Sequence, residues 1–148
     1  MEQAEYSTSV RWCERALDSF QRSDDQHGIA TTRHVLGLAQ QYMGNVAAAQ
    51  ECYRMALLIN EAIGNAYGAT LNHAQLGIIE AALGNAMEAT RCLLRAIAGF
   101  RASKQAHWSA ETEKHLRALH DRCSPADQST VRAMWLEANL GRFPDSSQ

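Results

Sequence analysis

A strong net charge is missing from this sequence, and with it the usual electrostatic sign of a polyanion-binding protein. Its 14 Lys and Arg residues and 16 Asp and Glu residues give a formal net charge of −2, so we expect no nucleic-acid partner. Apolar runs of membrane-spanning length are missing too, and the segment MEQAEYSTSV at the start lacks the basic and apolar regions of a signal peptide. These absences predict a cytoplasmic protein with no membrane partner.

Motifs for metal binding and catalysis are also absent. The four cysteines include no CxxC pair, and none lies beside a histidine at a zinc-binding spacing. They are Cys13, Cys52, Cys92 and Cys123, and we predict reduced, mostly buried thiols. The chain contains no GxxxxGK[ST] loop, no GxGxxG and no nucleophile elbow. We therefore expect a non-enzymatic protein with no catalytic residue, no metal and no cofactor.

The aromatic and histidine side chains each have a structural interpretation. The three tryptophans, Trp12, Trp108 and Trp135, fall in helical stripes, where a wedge between neighbouring helices is more common than a ligand-stacking role. His115 and His120 lie near Glu111 and Cys123, but a separation of five residues turns the two rings apart on a helix. We expect exposed histidines there, not metal ligands.

The sequence does have one dipeptide that returns at a fixed interval. Glycine adopts the left-handed conformation that ends a helix, and asparagine accepts the first free N–H groups of the next one. Each Gly-Asn pair therefore predicts a corner between two helices. The complete pairs are at residues 44–45, 64–65 and 84–85, and degraded ones are at 24–25, 104–105 and 124–125. Apolar residues between these corners follow helical spacing, which predicts about seven helices.

A corner every 20 residues makes a helical hairpin every 40 residues, so the sequence should resemble itself at that longer shift. Sliding residues 28–67 onto 68–107 gives ten identities, among them Gly37 with Gly77. Most of the matched residues are small, which lets two helices pack antiparallel at a close distance. The repeat predicts an all-α fold of stacked antiparallel helix hairpins.

Two strings carry a resemblance to a known family. LGLAQQYMGNVAAAQECYRMALLINEAIGN and LGIIEAALGNAMEATRCLLRAIAGF resemble the tetratricopeptide repeat in its forty-residue variant, with Leu-Gly, Gly-Asn and two later alanines in phase. The resemblance is good over residues 28–107 and weaker over 5–139. It implies an α-α superhelix, a solenoid in which residues 1–140 form a single repeat domain and 141–148 a polar C-terminal tail.

The resemblance also implies a function. Tetratricopeptide proteins are non-enzymatic scaffolds or adaptors that bind a peptide or helical segment of a partner protein in a concave groove lined by first helices. The groove residues that the family's pattern assigns to this chain are Thr31, His34, Leu38, Gln41, Leu71, Ala74, Ile78, Ala81, Glu111, Lys114, Ala118 and Asp121. The alternative is that Leu71 and Ile78 belong to the core.

A second function remains open at this point. Forty-residue repeats of this kind resemble those of regulatory sensor modules, which are fragments or partners of larger signalling ATPases or peptide-responsive transcription regulators. Residues 5–22 resemble the second helix of a pair that has no first helix before it, which suits such a module. For either function we expect a monomer or a weak homodimer.

Overall fold

The computed structural model describes residues 2–145 and leaves residue 1 and residues 146–148 undescribed. Over the described range the secondary structure consists of helices and turns, with no strand. The helices of this range are α1 (Glu2–Arg22), α2 (Gln26–Tyr42), α3 (Val46–Ala62), α4 (Ala66–Ala82), α5 (Ala86–Ala102), α6 (Ala106–Arg122) and α7 (Pro125–Glu137). The predicted all-α fold with about seven helices is confirmed. None of these helices is both long enough and apolar enough to cross a membrane.

The chain divides into two compact units, residues 1–72 and 73–148, and the division falls within α4. In the first unit α2 packs against both α1 and α3. In the second unit α5 packs against α6 and α7, which also contact each other. Consecutive helices therefore pack on one another, as the hairpin repeat predicts. The single repeat domain over residues 1–140 stays a prediction.

Left-handed residues form the first five corners, whereas the sixth, at residues 124–125, is made by extended backbone at Cys123 and Ser124. The left-handed φ angles are 52° at Asp24, 82° at Gly44, 73° at Gly64, 83° at Gly84 and 58° at Lys104. At the second corner the N–H of Asn45 donates to the carbonyl oxygen of Gln40 at 2.8 Å and that of Gly44 to Gln41 at 3.0 Å. This pair of bonds is the Schellman motif, which satisfies the last free carbonyls of a helix. The predicted corners are confirmed, including the degraded ones.

The asparagines of the corners behave differently from one another. Asn65 accepts from the N–H of Gly68 at 3.1 Å, as a capping residue does. Asn45 and Asn85 make no side-chain cap, so the capping prediction is wrong at these two positions. Their amides instead donate backwards, to a side-chain oxygen of Gln40 at 2.8 Å and of Glu80 at 2.7 Å. Asn65 also donates backwards, to Oδ1 of the shorter Asn60 at 3.1 Å, so a backward contact alone does not prevent capping.

Small residues form the seams between helices. A Cβ atom at Gly37 would lie 2.7 Å from the ring of Tyr53, and one at Gly77 would lie 2.6 Å from Leu93. Contacts this short are not tolerated without a shift of the neighbour. The absence of a side chain at these glycines is therefore what lets the facing helix approach, as the repeat pattern predicts.

The core of the second unit is built around Trp135, Leu93, Ile97 and Leu116, which are all fully buried. The wedge predicted for Trp135 is confirmed. The same prediction is wrong for Trp12 and Trp108, whose exposed fractions are 65% and 50%. Helical spacing predicted that these two indoles lie on the apolar face of their helices, but each lies at the solvent-exposed edge of that face. Trp12 lies under the guanidinium of Arg15, and Trp108 contacts the ring of His107.

The prediction of exposed histidines is half right. His115 is exposed, whereas His120 is buried at 6% exposure. Its ring packs against Phe143 and accepts a hydrogen bond from Nε of Arg132 at 3.1 Å. The C-terminal segment covers this ring, and helical spacing on α6 alone could not reveal it.

Exchanging the residues of two equivalent corners tests the role of the left-handed conformation. Lys104 adopts it at φ 58° and Gly84 at φ 83°, and an L residue is less stable there than glycine by about 1–2 kcal/mol. We expect Lys104→Gly to raise the free energy of unfolding by about 1 kcal/mol and Gly84→Lys to lower it by a similar amount. Urea denaturation followed by circular dichroism measures both. Changes of the same sign in both variants would contradict this account of the corners.

Candidate functional site

A small cavity lies in the first unit, between α2 and the first turns of α4. Its volume is about 90 Å³, and its lining consists of Ala30, Thr31, His34, Val35, Asn60, Asn65, Gly68 and Leu71. Three predicted groove residues, Thr31, His34 and Leu71, are brought together here. Val35, which is 45% exposed, was not predicted, although it lies one turn after Thr31 on the same helix face.

Three asparagines connect this cavity to the interior, and we call Asn60, Asn65 and Asn72 the asparagine ladder. The N–H of Gly68 donates to Oδ1 of Asn65, and Nδ2 of Asn65 donates to Oδ1 of Asn60, both at 3.1 Å. Nδ2 of Asn60 then donates to Oδ1 of Asn72 at 2.8 Å. The ladder ends where Nδ2 of Asn72 meets Nδ1 of His34 at 3.0 Å.

The asparagine ladder was not predicted from the sequence. Asn72 is fully buried and Asn60 is 4% exposed, and buried amides need partners for all their polar atoms. A signal for Asn60 was available, because it falls on the buried apolar stripe of α3 that includes Tyr53 and Ala56. A polar residue on such a stripe indicates a buried hydrogen-bond partner. The identity of that partner depends on the packing of α4.

The ring of His34 is held from two sides. Its centroid lies 5.4 Å from that of Tyr53, and Asn72 engages Nδ1. Burial lowers the pKa of His34 below its ordinary value, because a charged imidazolium is poorly solvated there. His34 is therefore neutral at pH 7. The hydroxyl of Tyr53 donates to Oε1 of Gln41 at 2.8 Å, so the same tyrosine also orients a second predicted groove residue.

Among the predicted residues of the second unit, Ala81 and Lys114 border different depressions. On α4, Ala74, Ile78 and Ala81 are half-buried, and Ala81 borders a separate depression with Leu119 and Cys123. The predicted residues of α6 are Glu111, Lys114, Ala118 and Asp121, of which the last three are exposed. That all twelve predicted residues line a single groove stays a prediction.

The pairings on α6 are local. Glu111 accepts from Nζ of Lys114 at 2.7 Å, one turn along the helix. Asp121 lies 3.0 Å from Nδ1 of His120, its neighbour in sequence. Neither contact reaches another helix, so these charges remain at the surface of α6.

The buried apolar residues of α4 are not the predicted groove residues. Leu76 and Ile79 are 4% and 2% exposed, whereas Leu71 and Ile78 are only half-buried.

The C-terminal segment packs on the second unit. The indole N–H of Trp135 donates to the carbonyl oxygen of Gly141 at 2.8 Å, and Arg132 pairs with Asp145 at 2.9 Å. Phe143 packs edge-on against Trp135. Lys114 borders a depression together with residues 142–145, so this predicted groove residue lies beside the chain's own tail. Residues 146–148 of the predicted tail are outside the described residues.

The cysteines match their prediction. All four are free thiols; Cys13, Cys52 and Cys92 are buried, and Cys123 is partly buried. Burial raises the pKa of Cys92 to about 11, and burial also raises the pKa of the other three. Thiols with raised pKa values carry little thiolate at neutral pH and are poor nucleophiles.

Comparison with known families agrees with the repeat pattern. Residues 1–62 match the model of a family described as tetratricopeptide repeat. The tetratricopeptide-repeat resemblance is therefore confirmed for the matched segment, which comprises α1, α2 and α3 and most of the first string. Members of this family are protein–protein interaction modules and are generally non-enzymatic. No curated protein matches the chain.

The lowered pKa of His34 makes a prediction for stability. At pH values below 6.5, the ordinary pKa of histidine, this residue binds a proton more readily in the unfolded chain than in the folded one. The folded state therefore loses stability as pH falls, by at most about 1.4 kcal/mol per pH unit. His34→Gln keeps an acceptor for Asn72 and cannot titrate. We expect wild type to lose stability relative to His34→Gln between pH 7.5 and 5.5 (chosen to span roughly one unit on each side of the unfolded pKa). Urea titrations across this range measure the difference, and parallel curves would contradict it.

Proposed function

We propose that this chain is an adaptor that holds a segment of a partner protein, and that the cavity between α2 and the start of α4 is where the segment is anchored. The observation that carries the proposal is the meeting of Thr31, His34 and Leu71, assigned by family resemblance, at the border of this cavity. The family match covers α1 to α3, and two of these helices, α2 and α3, contribute lining residues to the cavity. This overlap supports the first unit as the place of binding.

The size and lining of the cavity favour an aliphatic anchor. Its volume of about 90 Å³ is smaller than the roughly 150 Å³ that accommodates a benzene ring, so an aromatic side chain is too large. Val35 and Leu71 offer apolar contact at the rim, while Thr31 and His34 provide polar groups that can orient a ligand. A short aliphatic side chain on the partner segment fits this combination.

The alternative function, a regulatory sensor module, shares this recognition step. It differs only after the segment has bound, because a sensor passes the binding event to another domain or partner. No contact within residues 2–145 favours that further step, so the adaptor is our first proposal. The expected monomer or weak homodimer is compatible with either function and stays a prediction.

Peptide selection tests the proposal directly. A phage-displayed library of random peptides is selected on the immobilised full chain, and the peptides obtained are measured by isothermal titration calorimetry. Leu71→Glu places a carboxylate at the rim of the cavity, which is unfavourable beside an apolar anchor. We expect it to weaken binding at least about tenfold, which corresponds to roughly 1.4 kcal/mol.

A matched control uses another partly apolar surface position. Leu58 lies on α3 with 67% of its surface exposed and is not among the cavity-lining residues. Leu58→Glu introduces the same change in charge and volume, and we expect it to leave the affinity unchanged. If the selected peptides tolerate Leu71→Glu as well as Leu58→Glu, the cavity is not the anchor and the proposal fails.

A further inference from the structure

The asparagine ladder has a fixed direction because it starts from a group that can only donate. A backbone N–H has no lone pair to offer, so the atom of Asn65 that lies 3.1 Å from the nitrogen of Gly68 must be its oxygen. The amide of Asn65 then has only its Nδ2 group left to face Asn60. A reversed amide would place two donors against each other.

The same logic passes along the ladder to the histidine. Asn60 receives a hydrogen bond on Oδ1 and therefore donates from Nδ2 to Asn72. Asn72 in turn receives on Oδ1 and donates from Nδ2, and its target is Nδ1 of His34. That ring nitrogen must carry a lone pair. Since His34 is neutral, its proton is on Nε2.

The Nε2–H group of His34 has no hydrogen-bond partner among residues 2–145. The aromatic partner of this ring within that range is Tyr53, and its hydrogen-bond partner is the amide of Asn72, which engages the other nitrogen. A half-buried donor without a partner costs free energy unless water or a ligand supplies an acceptor. His34 borders the cavity, so a ligand anchored there is well placed to supply one.

The chemistry of the cavity selects the kind of acceptor. No lining residue carries a charge while His34 is neutral, and burial is the cause of the lowered pKa of that ring. A carboxylate would therefore enter without a cation to balance it, which is unfavourable. A neutral carbonyl has no such penalty. Carbonyls in a helix are already paired except in its last turn, whereas those of an extended segment are free.

We propose that the partner segment binds in extended form and that one of its backbone carbonyls accepts a hydrogen bond from Nε2–H of His34. This proposal rests on the function proposed above and decides between the two binding modes that the family resemblance leaves open, helix or extended peptide. The asparagine ladder then acts as a positioning device, because it fixes the position of the proton on His34 before any partner arrives.

The proton position is measured on the free, full-length chain, without any peptide. Long-range ¹H–¹⁵N correlation spectra at pH 8 distinguish a protonated from an unprotonated ring nitrogen. We expect Nε2 of His34 to be protonated and Nδ1 to be bare. In Asn72→Asp the carboxylate still accepts from Asn60 but also presents an oxygen to His34, so the proton should move to Nδ1. A proton on Nδ1 in wild type would overturn the proposal.

A matched control changes an asparagine outside the ladder. Asn45 is exposed and its amide donates to Gln40, so Asn45→Asp adds the same charge to the first unit. We expect it to leave the proton of His34 on Nε2. A shift of the proton in Asn45→Asp as large as in Asn72→Asp would show a general charge effect and would overturn the role of the ladder.

Binding is measured with a peptide selected as described above. At a pH above the pKa of His34 in the variant, Asn72→Asp should bind at least about tenfold more weakly, since a bare Nε2 repels a carbonyl. Replacing single peptide amides by esters weakens the carbonyl acceptors one at a time. One ester should lower the affinity of wild type about fivefold and have no effect on Asn72→Asp, and this scan on wild type requires no variant to fold.

The outcomes separate the two proposals. If no peptide is obtained, or if binding ignores Leu71→Glu, the proposed function fails and the extended segment with it, whatever the proton position. If a peptide binds at the cavity but is helical by NMR, or no ester affects it, the further inference is overturned and the proposed function stands. An extended bound peptide with one sensitive carbonyl supports both.

Discussion

One backbone constraint, a single left-handed residue at each of the first five corners between consecutive helices, sets the geometry on which the rest of this structure depends. The helices α2 to α6 each contain 17 residues, and α1 to α5 each end two positions before the left-handed residue. Asp24 and Lys104 adopt the conformation as well as the glycines do. The corner itself is therefore what recurs along the chain, and glycine is only its most favourable occupant.

Equal helices and equal corners produce a constant register. Three side-chain hydrogen bonds across these corners join residues that are 12 positions apart; the pairs are Gln41 with Tyr53, Asn60 with Asn72 and Arg101 with Glu113. The glycine seams obey the same rule at a longer separation, since Gly37 faces Tyr53 and Gly77 faces Leu93. The distance of a residue from the corner determines which residue it faces on the next helix. The identities of the two side chains then determine the chemistry of the contact.

The difference between the position of a contact, which spacing sets, and its chemistry, which individual residues set, explains what the sequence predicts and what it does not. Helix bounds, corners and seams depend on spacing, and spacing can be read directly from Gly44, Gly84 and Gly37. Capping by Asn45 was not predictable in the same way, because the orientation of its amide depends on a contact with the side chain of Gln40. The exposure of Trp12 and the burial of His120 depend on which residues pack over the edge of the apolar face of each helix. Tertiary packing decides this, and the periodic pattern of one helix carries no information about it.

The candidate site arises where the repeat is broken. Positions 40 residues before and after Asn72 hold Thr32 and Thr112, whose hydroxyls donate to carbonyl oxygens of their own helices at 2.8 and 2.7 Å. Asn72 reaches instead to Asn60 and His34, across three helices of the first unit. Buried amides of this kind add little net stability, since each hydrogen bond replaces one to water. Their effect is directional: every amide has one allowed orientation, and the last of them faces a histidine at the border of the cavity. A repeat whose first five corners share one backbone conformation thus acquires this specific polar group where Asn72 stands at a position that holds threonine 40 residues before and after it.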